Sequence, residues 1–150
     1  MRIVAISQQE CRELMQRVSI GRLACSLKNQ PYVVPVAFSY ETDCIYLFST
    51  VGKKVEWMRQ NPKVCLQADE IGHGSNWTSV VVIGTYLELH EVHYASLREH
   101  AKELLAEHSE WWRIPLAERR EKIGDLAIET VFFRIDIASM TGLRGIPEAE

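Results

Sequence analysis

The amino-acid sequence predicts a small antiparallel β-barrel with helices on its periphery. Short runs rich in β-branched and aromatic residues recur along the chain, and turns of hairpin length separate most of them, which gives about six strands. Gly84 lies inside the longest run, as expected where a sheet bends to close. The chain of 150 residues has no linker, internal repeat or low-complexity segment. We therefore expect one barrel domain over residues 1–150.

The first part of the chain is predicted to form one helix and three strands. Ser7 and Glu10 have the spacing of a capping box, in which two side chains satisfy the first N–H groups of a helix. Strands are expected over Ile20–Leu27, 32–40 and 44–49, with polar turns between them.

Pro35 interrupts the second of these strands. Proline has no N–H group and cannot donate to the hydrogen-bond ladder of a sheet. The residue therefore indicates a strand edge, a bulge, or a place where the backbone faces a ligand.

The most informative segment is 48–54, which joins a strand to a helix that ends before an Asn-Pro pair. Ser49 and Thr50 supply two hydroxyl groups, Gly52 allows a tight turn, and Lys53 and Lys54 follow directly. A helix N-terminus and two cations at one point favour the binding of a phosphate group. The residue order of a P-loop is absent. The alternative is a capped surface helix with two solvated lysines.

The remaining predicted elements complete the barrel. They are strands over 64–68 and 77–89, an amphipathic helix through 97–105, a short helix over 115–124, and a final alternating strand over 128–138.

Composition excludes some classes of protein. The formal net charge of −3 argues against a general nucleic-acid binder, which carries a basic patch or stripe. No apolar run approaches the roughly 18 residues of a membrane span, and no signal-peptide pattern is visible, so we expect a cytoplasmic protein. Cys11, Cys25, Cys44 and Cys65 are widely spaced and are expected to be reduced thiols. The histidines do not have zinc-site spacing, so no metal site is predicted.

Four segments, in this order, resemble the flavin-binding split-barrel superfamily, and specifically the nitroimidazole-reductase-like branch of the pyridoxamine 5'-phosphate oxidase-like proteins. They are Ile-Gly-Arg-Leu-Ala at 20–24, Val-Val-Pro-Val-Ala-Phe at 33–38, the segment 49–54, and Trp-Thr-Ser-Val-Val-Val-Ile-Gly at 77–84. The resemblance implies a mainly β fold with peripheral helices, built as a six-stranded antiparallel split β-barrel. It also implies a homodimer with FMN bound in clefts between the subunits. The apolar stretch 80–83 and the strand around Phe132 are the candidates for the shared surface, because a continuous apolar run exceeds what one core face needs.

The resemblance assigns roles to the matching residues of this chain. Lys53 and Lys54 would hold the FMN phosphate with a hydroxyl from Ser49, and the backbone of 34–38 would run beside the isoalloxazine ring. Residues of the fourth segment would line the ring or its ribityl chain. The predicted cofactor-binding residues are Val34, Pro35, Val36, Ala37, Phe38, Phe48, Ser49, Thr50, Lys53, Lys54, Trp77, Ser79 and Val80.

Three features depart from the pattern of the family. Lys53 stands where the oxidases commonly carry arginine, which removes a bidentate fork but keeps the charge. Many nitroimidazole-reductase-like members have a histidine near the position of Ser49, and this chain has none there. The C-terminal arginine–histidine pair with which true oxidases grip pyridoxal phosphate is missing too, so oxidation of vitamin B6 is not expected.

Three further residues have two interpretations each. Trp111 and Trp112 either pack against the barrel, which is preferred, or shield a flavin. Arg144 either reaches a cofactor in the second subunit or is a solvated residue of a mobile tail, and the tail is preferred.

The residues leave three hypotheses for function. The first is an FMN-dependent oxidoreductase that moves two electrons from a donor such as a reduced nicotinamide to a small organic acceptor. The second is a non-catalytic flavin- or haem-binding module, for which His73 or His90 would be the axial ligand to examine. The third is a dimerisation barrel without a cofactor. FAD and cofactor F420 are the alternatives to FMN.

Overall fold

The computed structural model describes residues 1–108 and 130–148. The elements of these residues, in chain order, are β1 (Arg2–Ala5), α1 (Gln8–Arg17), β2 (Ile20–Leu27), β3 (Gln30–Glu41), β4 (Cys44–Thr50), α2 (Lys53–Gln60), β5 (Lys63–Ile71), β6 (Trp77–Glu88), α3 (Ala95–His108) and β7 (Thr130–Ile146). The predicted helix over 115–124 and both Trp111 and Trp112 lie outside the described residues.

The strands form one antiparallel sheet that closes on itself. The order is β1-β7-β4-β3-β2-β5-β6, and β6 also pairs with β7. Strands β2 to β7 therefore make a ring of six, and the predicted split β-barrel is confirmed. β1 lies outside the ring and pairs with the end of β7, from Arg2 opposite Ile146 to Ala5 opposite Leu143.

β7 is longer than predicted and joins two parts of the barrel. Its first half pairs with β4, from Thr130 opposite Thr50 to Asp136 opposite Cys44, while β6 runs along most of its length. The ladder between β6 and β7 shifts register between Ile83 and Gly84. A Cβ atom on Gly84 would lie 2.3 Å from the carbonyl oxygen of Asp136, so this bend requires glycine.

Two apolar clusters hold the fold together. The larger fills the barrel and includes Phe38, Leu47 and Phe133, together with Leu14 and Met15 from α1. The smaller lies outside the ring, where α3 covers the outer face of β4 and β7; its buried members are Tyr46, Leu89, Ala101, Leu105 and Phe132.

The predicted start of α1 is confirmed. The Ser7 side chain accepts a hydrogen bond from the N–H of Glu10, and the Glu10 side chain reaches back to the N–H of Ser7. In the part of the chain that the structure describes, no helix is long and apolar enough for a membrane span.

The ring is split between β3 and β4. These two strands pair only from Phe38 opposite Leu47 to Glu41 opposite Cys44. The first half of β3, residues 30–37, has β2 on one edge and opens on the other toward the end of β4. α2 begins three residues after β4 ends, so its N-terminus follows directly on the strand that borders this opening.

Candidate functional site

The N-terminus of α2 lacks a side-chain cap. Gly52 is the N-cap residue, and no side chain caps the first turn there. The first helical hydrogen bond runs from the N–H of Glu56 to the carbonyl oxygen of Gly52 at 3.0 Å, which leaves the N–H groups of residues 53–55 directed out of the helix. Uncapped N–H groups at the positive end of the helix dipole attract an anion.

Gly52 lies in the short turn between β4 and α2, but its own conformation does not require glycine. Its φ of −173° is extended backbone that any residue adopts, and a Cβ atom there would meet nothing within 4 Å. What the glycine provides is the absence of an N-cap side chain that would satisfy the helix N–H groups.

Lys54 is a half-buried cation without an acidic partner. Burial lowers the pKa of Lys54, and the only opposing influence is the neighbouring thiol of Cys25. No carboxylate of the described residues forms an ion pair with it. Because taking a charge out of water is unfavourable unless an opposite charge compensates, this ammonium group favours the binding of an anion.

Lys53 has a different environment from its neighbour. Its side chain is exposed, and its Nζ lies 5.3 Å from the ring centroid of Tyr32 and 5.0 Å from that of Trp57. The two rings are 5.9 Å apart and tilted by 59°. Distances of this size are typical of cation–π contacts.

The end of β4 divides the predicted residues between two faces. Ser49 is buried on the barrel side, and its Oγ donates to the carbonyl oxygen of Thr50 at 3.0 Å. The ring of Phe48 packs against Phe132 at 5.4 Å, in the cluster that α3 covers. The Phe48 side chain is therefore turned away from the barrel interior, and only its backbone borders the split.

The open edge of β3 presents backbone groups to the split. The N–H of Phe38 donates to the carbonyl oxygen of Ser19 at 2.9 Å, on the β2 side. Because strand residues alternate, the backbone groups of Val33, Pro35 and Ala37 face the opposite edge. Pro35 thus lies at a strand edge, one of the three predicted possibilities.

The side chains of residues 34–38 do not point toward the open edge of β3. Val36 and Phe38 are buried in the barrel core, and Val34 packs against that core. At this edge, residues 34–38 therefore offer mainly backbone groups.

The structure does not bring Trp77, Ser79 and Val80 to the split within one chain. β2 and β5 separate β6 from β3 on one side of the ring. On the other side, Trp77 lies opposite Gly145 of β7, whereas the end of β4 at Thr50 lies opposite Thr130, at the other end of that strand. Trp77 donates its Nε1–H to the Met1 sulfur at 3.3 Å, and the Ser79 hydroxyl accepts from the Gln67 amide at 3.0 Å. Val80 is completely buried in the barrel, so its side chain cannot line a cofactor.

An apolar row crosses the outer face of four strands. Val33 pairs with Ala24, Ala24 with Cys65, and Cys65 with Ile83. Residues directly opposite each other on neighbouring strands project from the same face. Val33 and Ile83 are 62% and 53% exposed, so both ends of this row are open to solvent in the single chain.

Phe132 does not belong to an open surface. The surroundings of this residue were predicted as a second shared surface between subunits, but α3 covers its ring, and it is only 6% exposed. This part of the prediction was wrong because the outer face of β4 and β7 is already covered within the chain.

The preferred interpretation of Arg144 was also wrong. The residue lies in β7, and its guanidinium forms an ion pair with the carboxylate of Glu10 at the start of α1. The hydrogen bond from Arg144 holds the pKa of Glu10 below its ordinary value. Arg144 therefore belongs to the sheet and not to a mobile tail.

An ion-pair network between the exposed Arg59 and the half-buried Glu88, which the sequence did not predict, fixes the C-terminal end of α2. Arg59 donates to the two carboxylate oxygens of Glu88 at 2.8 and 3.1 Å, and the Tyr86 hydroxyl donates to the first of them at 2.6 Å. Burial raises the pKa of Glu88, but these hydrogen bonds outweigh it, and the net shift is downward. The network ties the helix that carries Lys53 and Lys54 to β6.

The two histidines considered for haem are far apart. His73 lies in the loop before β6, and His90 follows the other end of that strand, beside Glu88 at 3.3 Å. Within residues 1–108 and 130–148, no group of three potential ligands is placed to hold a metal ion.

Comparison with known proteins identifies the family. The family model described as pyridoxamine 5'-phosphate oxidase matches residues 7–144. This chain belongs to that family. A protein of Rhizobium meliloti strain 1021 that is described as uncharacterized is 36% identical over 140 residues, which are 91% of each chain.

Two solved structures have the same fold as this chain. A FAD-binding protein of Mesorhizobium loti is 38% identical, with a TM-score of 0.80 over 98% of this chain and 99% of its own. A candidate 5-nitroimidazole antibiotic resistance protein of Bacteroides thetaiotaomicron is 18% identical, with a TM-score of 0.70 over 95% of this chain and 87% of its own. At that identity the likeness to the second protein is one of fold alone. The resemblance to the pyridoxamine 5'-phosphate oxidase-like proteins, inferred from four segments, is confirmed.

Proposed function

We propose that this chain is a flavin-binding protein that holds the 5'-phosphate of the cofactor on Lys54, Lys53 and the N-terminus of α2. The observation that carries the proposal is the half-buried ammonium group of Lys54, which has no carboxylate partner among the described residues. A phosphate at this point would receive the uncapped N–H groups of the helix and both lysine charges.

The open edge of β3 suits the ring of the same cofactor. The carbonyl oxygens of Val33, Pro35 and Ala37 and two of their N–H groups face the split, next to the apolar side chains of the barrel. The pyrimidine edge of a flavin needs such fixed donors and acceptors, and its remaining surface needs apolar contacts.

The M. loti relative supports the class of cofactor. That protein is described as FAD-binding and shares 38% of its residues with this chain. FMN and FAD both contain the phosphate that the lysines would hold, so FMN, which the sequence predicts, stays a prediction.

A second copy of the chain would complete the site. The apolar row from Val33 to Ile83 crosses the outer face of the sheet, where two barrels can pack. Trp77 and Ser79 project from the same side of β6 as Ile83, because alternate residues of a strand share a face. A homodimer through this face would therefore bring these two residues of one chain toward the split of the other.

The activity we propose is transfer of two electrons from a reduced nicotinamide or a similar donor to a small organic acceptor. The flavin supplies the redox chemistry when it is bound, while the chain binds it, orients it and excludes water. Pyridoxamine phosphate is not the expected substrate, because the last described strand, Thr130–Ile146, contains no histidine that could form the arginine–histidine pair of the oxidases.

The test is reconstitution of the purified protein with riboflavin, FMN and FAD. We expect both phosphorylated flavins to bind without a covalent link and to bind more tightly than riboflavin. If no flavin binds, the proposal fails. If riboflavin and FMN bind equally, the phosphate site is wrong.

Rapid mixing of the flavin-loaded protein with reduced nicotinamides, without oxygen, tests the activity. Bleaching of the flavin band faster than for the free flavin would support an oxidoreductase. If no donor bleaches it faster, the chain is a non-catalytic flavin-binding module.

A further inference from the structure

Two aromatic side chains lie directly beside the proposed phosphate site. Tyr32 on β3 and Trp57 on α2 are both half-buried, with ring centroids 5.9 Å apart. The ammonium group of Lys53 lies over both rings, at 5.3 and 5.0 Å from their centroids. One exposed lysine thus connects an aromatic surface with the N-terminus of α2.

The contacts of Lys53 are easily exchanged. The side chain is exposed, and its ammonium group has no ion pair within the described ranges 1–108 and 130–148. An exposed cation–π contact is worth only about as much as a weak hydrogen bond, and a phosphate competes well for the same charge. When a phosphate draws Lys53 away, the faces of the two rings become available to another planar group.

We propose that Tyr32 and Trp57 form a stacking site for the adenine of FAD, so that the chain binds FAD more tightly than FMN. This inference rests on the proposed function, since the adenine would be tethered to the phosphate held by Lys54. Lys53, which is exposed and next in sequence to Lys54, would hold the second phosphate of FAD. Because the Lys53 ammonium lies about 5 Å from both rings, a phosphate bound to it brings the attached adenosine within reach of them.

The chemistry of the pair fits a nucleobase. Every base offers a flat π-face, and stacking on an aromatic side chain changes affinity by roughly 5- to 150-fold. Tyrosine and tryptophan both offer a large rigid ring as contact area, so binding a base to them costs little side-chain conformational entropy. We therefore expect an affinity for FAD about tenfold above that for FMN.

The experiment compares ring-removing with ring-retaining variants of the full chain. Dissociation constants for riboflavin, FMN and FAD would be measured by calorimetry for the wild type, Trp57→Leu and Trp57→Phe. We expect Trp57→Leu to lose most of the preference for FAD while its affinity for FMN changes less than about threefold. Trp57→Phe should keep most of the preference. If Trp57→Leu does not fold, the Tyr32→Leu and Tyr32→Phe pair provides the same comparison.

The outcomes separate this inference from the proposed function. Equal affinities of the wild type for FMN and FAD would overturn the adenine site and leave flavin binding intact. A parallel loss of FMN and FAD affinity in Trp57→Leu would also overturn it, because the rings would then only position Lys53. Failure of the wild type to bind either flavin would defeat the proposed function itself.

Discussion

Replacing Lys54 by methionine would test the phosphate site most directly. Methionine has nearly the length of lysine but no charge, so it removes the ammonium group with little change in packing. A hydrogen bond to a charged group contributes about 1.5–3 kcal/mol. Since ~1.4 kcal/mol is a factor of ten, the affinity for FMN should fall by about 10- to 150-fold. The affinity for riboflavin, which lacks the phosphate, should change by less than about threefold.

The same variant should not destabilise the free protein. Burial lowers the pKa of Lys54, which means that the folded chain disfavours its charged form. Removing the charge should therefore leave the free energy of unfolding unchanged or raise it, by less than about 1 kcal/mol because the side chain is half-exposed. Urea unfolding without flavin measures this quantity. The exposed Lys63 provides the control, since Lys63→Met should change neither flavin affinity nor stability.

The titration of Lys54 should affect FMN binding and protein stability in opposite directions as the pH rises. A phosphate needs the charged form of Lys54, so the ratio of FMN to riboflavin affinity should fall as the pH rises through a pKa below 10.5. In the flavin-free protein the effect is opposite: the unfolded chain binds the proton more strongly, so Lys54 makes stability rise with pH over that range. Lys54→Met should remove the contribution of Lys54 to both effects. The reasoning would be refuted if the stability of that variant fell by more than about 1 kcal/mol. An equal loss of affinity for FMN and for riboflavin would also refute it.

Three further predictions address the fold and the assembly. Glu88→Gln should lower the free energy of unfolding by about 1 kcal/mol at pH 7, because it weakens charged hydrogen bonds to a half-buried carboxylate whose partner Arg59 is exposed. The difference should shrink as the pH falls from 4.5, the ordinary value in the unfolded chain, through the lower pKa of Glu88 in the folded protein. Gly84→Ala should cost roughly 1–3 kcal/mol in thermal or urea unfolding, since its Cβ would meet backbone at 2.3 Å, whereas Gly52→Ala should have little effect. Ile83→Asp should convert the dimer into monomers, as measured by light scattering. The control is Val92→Asp, which changes a more exposed apolar residue outside the row and should leave the dimer intact. A dimer that survives Ile83→Asp would rule out the apolar row as the interface.

Local patterns in the sequence predicted most of the barrel. Ile20–Leu27 forms a strand with the expected bounds, and the capping box of Ser7 and Glu10 begins α1. In both places the signal lies within a few residues: alternation in the strand, and two side chains at fixed spacing in the cap.

Elements that depend on distant pairing were missed. β1 has only four residues, and it is a strand because it pairs with the end of β7. The second half of β7 contains Gly142 and Gly145, which have weak strand propensity, and it is held by β6 and β1. Gly145 is required because a Cβ atom there would lie 2.3 Å from Nε1 of Trp77, a contact that no local rule anticipates.

The candidate site was predicted in its composition but not in its arrangement. The sequence indicated two lysines at a helix start, yet only the fold distinguishes the half-buried Lys54 from the exposed Lys53. It did not show that Trp77 lies opposite Gly145, at the other end of β7 from the split, because the resemblance assigns residues to a site that would lie between two chains. Arg59 and Glu88 are 29 positions apart, beyond the reach of any spacing rule.

The length of β7 has a consequence for biosynthesis. The ring closes only when this strand pairs with both β4 and β6, so a nascent chain that ends before Thr130 has two strand edges with no neighbour of their own. Unpaired edges are templates for pairing with other chains, and non-local strand pairing is slow. The barrel therefore cannot close until β7 has been synthesised, and until then the edges of β4 and β6 lack the partner that β7 provides.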